Sequence, residues 1–240
     1  MTIPYDGEST DVNVPGILGN NTALGTGVKG QGSPGVWGES QQYEGVHGIS
    51  HSRAAGVAGV NDNAQGGPAV WGRSEHGIGI YGFGGQLAGF FDGNVAVTGD
   101  ITFTNADCAE EFDVTATTEV EPGTVMALDQ HGTLRPSQQA YDKKVAGVIS
   151  GAGNYKPGLI LDKRESAQGR IPIALVGKVY CKADAQYAPI EIGDLLTTSP
   201  SLGHAMKAND PLKAFGAVIG KALRPLKEGQ GLIPILIALQ

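Results

Sequence analysis

The chain has 240 residues, a net charge of −7, 40% hydrophobic and only 17% charged side chains. A mildly acidic balance with no basic stripe excludes the electrostatic footprint of nucleic acid or anionic membrane binding, and no apolar run approaches the roughly 18–20 residues of a membrane span. Cys108 and Cys181 are too few for a disulfide framework or an ordinary structural zinc site.

Residues 1–25 are polar and interrupted by Pro4, Pro15, Gly16 and Gly19, which reads as an arm or attachment segment. The opening residues Met1 to Asp6 lack the charged and apolar regions of a secretory signal. Synthesis in the cytoplasm is therefore expected, with any exit taking place inside a larger particle.

From 26 to 99 one phrase recurs: glycine, aliphatic, any residue, glycine. It stands at Gly27-Val28-Lys29-Gly30, Gly35-Val36-Trp37-Gly38, Gly45-Val46-His47-Gly48 and Gly56-Val57-Ala58-Gly59. Looser copies follow at Ala69-Val70-Trp71-Gly72 and Gly79-Ile80-Tyr81-Gly82. Of the 38 glycines, 24 fall in residues 1–100, which carry three basic against nine acidic residues. Glycine costs backbone entropy and buries no side chain, so this stretch cannot build a core alone. The aliphatic anchors are spaced by 8, 10, 11, 13 and 10 residues, too irregular for a single-chain solenoid whose coils stack in register. Short strands joined by loops of differing length, with three chains around one axis, satisfy both facts. Val36, Val46, Val57, Val70 and Ile80 are then the anchors of a homotrimeric shaft.

Val95, Val97, Ile101 and Phe103 show the period-2 pattern of strands around a Thr98-Gly99-Asp100 turn. Residues 100–112 read as a neck, with one helical turn near Asn105–Phe112. Residues 113–240 carry a weak internal duplication: Gly123 and Gly193 lie 70 residues apart, Gly132 and Gly203 lie 71, and Ile149 and Ile219 lie 70. Each copy ends in an apolar strand, Ile171–Val176 and Ile233–Leu239. With β-branched residues, regular turns and no sustained helical period, this is an all-β module of two related halves. The expected fold class is all-β: an intertwined, β-helix-like trimeric shaft followed by a β-rich domain.

At this point the chain resembles trimeric fibre proteins of phages and of phage-derived injection machines. The Gly-Val-x-Gly phrase is similar to their intertwined shafts, and Phe91-Asp92-Gly93-Asn94-Val95-Ala96-Val97-Thr98-Gly99-Asp100-Ile101 to the segment that closes them. Asp107-Cys108-Ala109-Glu110-Glu111-Phe112, Pro122-Gly123-Thr124-Val125 and Asp142 to Gly151 resemble the opening of the intramolecular-chaperone autoprotease domain of phage appendages. The resemblance spans roughly 26–151 and implies a C-terminal domain that trimerises, guides shaft folding and, in some members, cuts itself free. Only about 100 residues precede that domain here, so a retained trimerisation cap in a virion or injection particle is expected.

Cys108 is a candidate nucleophile at a self-cleaving junction, assisted by Asp107, Glu110 or Glu111. No histidine lies near it in sequence to activate the thiol, so a small packing residue is the competing reading. Asp194, Ser199 and His204 have the residue types of a hydrolase triad but sit in one turn-rich stretch without a nucleophile elbow. His47 and His51 are four apart in a segment too glycine-rich for a helical metal pair. Gly77, Gly79 and Gly82 show dinucleotide spacing with no strand–helix unit around them. No metal or cofactor is expected.

Trp37, Tyr43, Trp71 and Tyr81 are candidate glycan-stacking residues on the shaft; packing between chains is the alternative. The leading reading is a non-enzymatic homotrimeric fibre or spike whose partners are its own copies, a larger particle and a glycan receptor. Single self-cleavage near Cys108 and a carbohydrate-binding module are the alternatives.

Overall fold

The computed structural model describes residues 10, 17–21, 26–31, 34–115, 120–164 and 169–238. The chain divides into two units, Met1–Gly93 and Asn94–Gln240. Most of the expected arm at 1–25 lies outside the described residues.

In the first unit no described residue belongs to a strand or helix. Local order comes instead from one contact repeated at each phrase. The closing glycine of a phrase lies against the opening residue of the next. A β-carbon added at Gly30 would sit 2.2 Å from the Gly35 carbonyl oxygen and 2.6 Å from Val36 Cγ2. Gly38 meets Gly45 and Val46 in the same way, Gly48 meets Gly56 and Val57, Gly59 meets Ala69 and Val70, and Gly72 meets Gly79 and Ile80. Only a residue without a β-carbon allows this approach. Each loop is thus pinched shut at its base, whether it is short (39–44) or long (60–68). The irregular anchor spacing follows: loop length varies while the pinched phrase does not.

Residues 94–106 form no strand, contrary to the period-2 expectation for 95–103. Among the described residues, 94–105 have no ladder partner, and Val95, Ile101 and Phe103 are exposed. The neck also differs from expectation: Asp107–Asp113 is strand β1, with no helical turn. It is held on one side by antiparallel β6 (Arg170–Asp184) and on the other by parallel β5 (Pro157–Leu161).

The rest of the second unit is nearly all β. Strands β2 (Val125–Leu128), β3 (Leu134–Pro136) and β4 (Val145–Ile149) precede β5 and β6. After them come β7 (Leu195–Thr198), β8 (Ala205–Lys207), β9 (Val218–Ala222) and β10 (Gln230–Ala238). The one helix among the described residues, α1 (Pro211–Ala214), is a single turn. Asp210 caps it by accepting the N–H groups of Leu212 and Lys213, and Pro211 starts it.

The strands close into two small barrels with the same pairing pattern. In the first, β2 pairs antiparallel with β3 and β4, β4 with β6, and β6 with β1; a parallel bridge from Val114 to Leu134 closes the ring. In the second, β7 pairs antiparallel with β8 and β9, β9 with β10, and β10 with β6; a parallel bridge from Ala183 to Ala205 closes it. The fifteen-residue β6 serves both, its first half in one barrel and its second half in the other.

The two related halves are real, but their alignment shifts partway. Gly123 and Gly193 match as left-handed turn residues (φ 92° and 89°), as do Gly132 and Gly203 (φ 80° and 67°). Beyond that point Gly147, opposite Met126, matches Gly220, opposite Leu196. Ile149 therefore corresponds to Ala222, whose carbonyl accepts the N–H of Gly193 as that of Ile149 accepts the N–H of Gly123. The Ile149–Ile219 match read from sequence is out by three residues. The connection carrying α1 makes the difference in the second copy.

Candidate functional site

Two places carry the candidate residues: the phrase anchors of the first unit and the start of β1 in the second. Along the first unit, Val36, Val46, Val57, Val70 and Ile80 are 68–75% exposed. Trp37, Tyr43, Trp71 and Tyr81 are at least as exposed, and Trp37 Nε1 donates to Glu39 at 3.2 Å. Among the described residues nothing covers these large apolar side chains. Singly exposed hydrophobes are ordinary; a repeated series of them is not. His47 lies 3.9 Å from Glu44, an ordinary surface pair.

At the junction, Asp107 is almost fully buried. Its Oδ1 accepts a hydrogen bond from Ser150 Oγ at 3.0 Å, while Oδ2 is buried without a partner. Burial pushes its carboxyl above the ordinary carboxylate range, and the Ser150 bond only partly counters this. Cys108 follows, half-buried, its backbone facing Leu159 on β5 and Val176 on β6. Both residues line a cavity of about 420 Å³ with Phe103, Asn105, Leu159 and Val176. Glu110 is half-buried further along β1. The fold thus brings Asp107 and Cys108 to one cavity, in a strand gripped on both edges.

Ser150 is the partner that sequence reading missed, since 43 residues separate it from Asp107. A second polar clip lies at the far end of β1. The guanidinium of Arg170 reaches Asp162, Asp113 and the carbonyl of Glu111, and it is nearly buried. Hydrogen bonds from Arg170 and Arg164 hold Asp162 below the ordinary carboxylate range.

Asp194, Ser199 and His204 do not assemble into a triad. Asp194 is engaged by Lys207 Nζ at 2.8 Å and by the N–H of Glu191. Ser199 Oγ accepts the N–H of Ser201, and His204 Nδ1 faces the carbonyl of Leu202 at 2.7 Å. Asp194 is thus tied to β8 and its own turn, and Ser199 and His204 to theirs. Among the described residues no cluster of three His, Cys, Asp or Glu side chains could hold a metal, and no helix is long and apolar enough to cross a membrane.

No family model and no curated protein matches the chain. Among solved structures it is similar to the pre-mature gene product 12 of bacteriophage phi29, with a TM-score of 0.45 and 14% identity. That likeness covers 61% of this chain, which spans only 23% of the phage protein. The C-terminal fragment of the same gene product gives a TM-score of 0.37 at 15% identity, covering 55% of this chain and 99% of the fragment. The N base of the phi29 head fiber gp8.5 gives a TM-score of 0.25 at 18% identity, covering 55% and 90%.

Proposed function

We propose that the protein is a structural, non-enzymatic subunit of a homotrimeric fibre or spike, built into a phage-like or injection-type particle. One observation carries this reading: the anchors Val36, Val46, Val57, Val70 and Ile80 are all exposed in the single chain. Each pinched phrase leaves its β-branched side chain exposed, and other copies of the chain offer a matching apolar row. Three copies around an axis give every anchor two equivalent neighbours. The phage-type particle is inferred from the motif resemblance of the phrases and of Asp107–Phe112. Three identical rods on one axis also multiply weak contacts, so attachment to a surface, including a glycan surface through Trp37, Tyr43, Trp71 and Tyr81, gains avidity.

Mass photometry of the purified chain tests the stoichiometry. The expected species has three times the 24.7 kDa of one chain. A monomer that stays ordered at nanomolar dilution overturns the proposal.

A second reading, a single self-cleavage near Cys108, is favoured by Asp107, whose unpartnered buried oxygen shares a cavity with the Cys108 residue. Denaturing mass spectrometry separates the two. An intact chain of 24.7 kDa removes the cleavage reading, and a fragment beginning within 106–108 establishes it.

A further inference from the structure

The two barrels share one internal contact, and the duplication leaves each side of that contact unfilled once. On the first barrel, Val125, Val148 and Ala174 form a row at paired positions across β2, β4 and β6. The row is fully buried and belongs to the same cluster as the interior of the second barrel, including Cys181, Ile190, Ile219 and Ile237. The outside of barrel one thus completes the core of barrel two.

The matching row on the second barrel is Leu195, Lys221 and Leu236, paired across β7, β9 and β10. It is open: Leu195 is 40% and Leu236 43% exposed, and with Lys221 they line a recess of about 210 Å³. The matching interior end of the first barrel is incomplete too. Phe112, Val114, Val120, Ala146, Ile171 and Leu175 pack on its core only half-buried. Their counterparts Cys181, Ala183, Ile190, Ile219, Ile233 and Ile237 in the second barrel are all buried.

We infer that the open row of barrel two in one copy seats on the open end of barrel one in the next copy, repeating between chains the contact made within each. Such a contact is heterologous and closes into a ring if the rotation permits; that the ring has three members rests on the homotrimer proposed above.

Charge supports the second copy as occupant. Where the internal contact has Val148, the open row has Lys221, and exposed Lys178 stands beside Leu236 where the first barrel has buried Ala109 beside Ala174. Where the second barrel has buried Val179, the open end has Glu110, next to Glu111 and Asp113. Each half has exchanged an apolar residue for a charge of opposite sign, so the contact between chains is complementary and less greasy than the permanent one.

Carbodiimide joins a carboxylate directly to an amine it touches, and it can be applied to the full-length protein. The expected products are covalent dimers and trimers in which Lys178 or Lys221 is coupled to Glu110, Glu111 or Asp113. The double variant Lys178→Ala with Lys221→Ala removes both contact lysines and the cation over the Tyr155 ring. Its barrels should stay folded by circular dichroism while its oligomer dissociates at a higher concentration than the parent's, and an oligomer as tight as the parent's overturns the inference. An oligomer whose covalent joints never involve these residues overturns the inference and leaves the homotrimer standing. A monomer by mass photometry overturns both.

Discussion

Gly147 and Gly220 occupy the same place in the two barrels, and each is pressed against a neighbouring strand, Gly147 against β6 and Gly220 against β10. A β-carbon at Gly147 would stand 2.6 Å from the carbonyl oxygen of Ala174; at Gly220 it would stand 2.1 Å from that of Leu236. Neither obstacle is a side chain that can swing away, so Gly220→Val must move backbone. Overpacking of this kind costs about 1–3 kcal/mol, and Gly147→Val adds strain from its φ of 148°. Both variants are expected to lower the melting temperature of the C-terminal unit, which differential scanning calorimetry will read. A variant that melts with the parent removes the close packing from the account.

The chain has two tryptophans, Trp37 and Trp71, each third in its phrase. They are 75% and 79% exposed in the single chain. Intrinsic fluorescence therefore reports the repeat unit alone. In the assembled protein, emission is expected to be blue-shifted from that in denaturant and resistant to iodide. Emission unchanged by denaturation would mean that association does not cover the anchors.

The division at Gly93 gives a truncation test. Residues 94–240 contain both closed barrels and should fold alone with one cooperative melt, because β6 runs through both. Residues 1–93, expressed alone, should fail to form soluble trimers. A monomeric, protease-resistant 1–93 fragment would instead show that the pinched phrases suffice by themselves.

Asp107 gives a pH test. Its folded pKa lies above the ordinary value near 3.8, raised by burial and partly lowered by Ser150. Below the ordinary value both states are protonated and no penalty exists; as pH rises through the raised value, the folded state must hold a buried charge. The parent therefore loses stability across that window. Asp107→Asn keeps an acceptor for Ser150 Oγ and should melt higher than the parent at neutral pH, the gain vanishing in acid. A gain or loss independent of pH would show that Asp107 acts through shape alone.

The duplication was legible where backbone geometry dictates residue type. Gly123, Gly193, Gly132 and Gly203 all need positive φ, so their spacing survived in the sequence. The Ile171-Pro172-Ile173 and Ile233-Pro234-Ile235 runs likewise mark matching strands: the N–H groups of Ser150 and Leu223 donate to Pro172 and Pro234. Past α1 the runs of valine and isoleucine align plausibly in more than one register, and only the ladder selects Gly220. Strand β1 was illegible because a register shift between Cys108 and Ala109 breaks its alternation. Conversely, 95–103 alternates cleanly, yet a strand needs a partner and none lies among the described residues. Asp107 and Cys108 stood out as residue types; Ser150, reached only through the fold, could not.

A loop cinched at its root can be lengthened, trimmed or exchanged without displacing the anchor that follows. Anchor spacing in space and loop content are therefore free to vary separately. Descendants of this chain can rewrite the loops at 39–44, 49–55 or 60–68 while keeping the same closure beneath them.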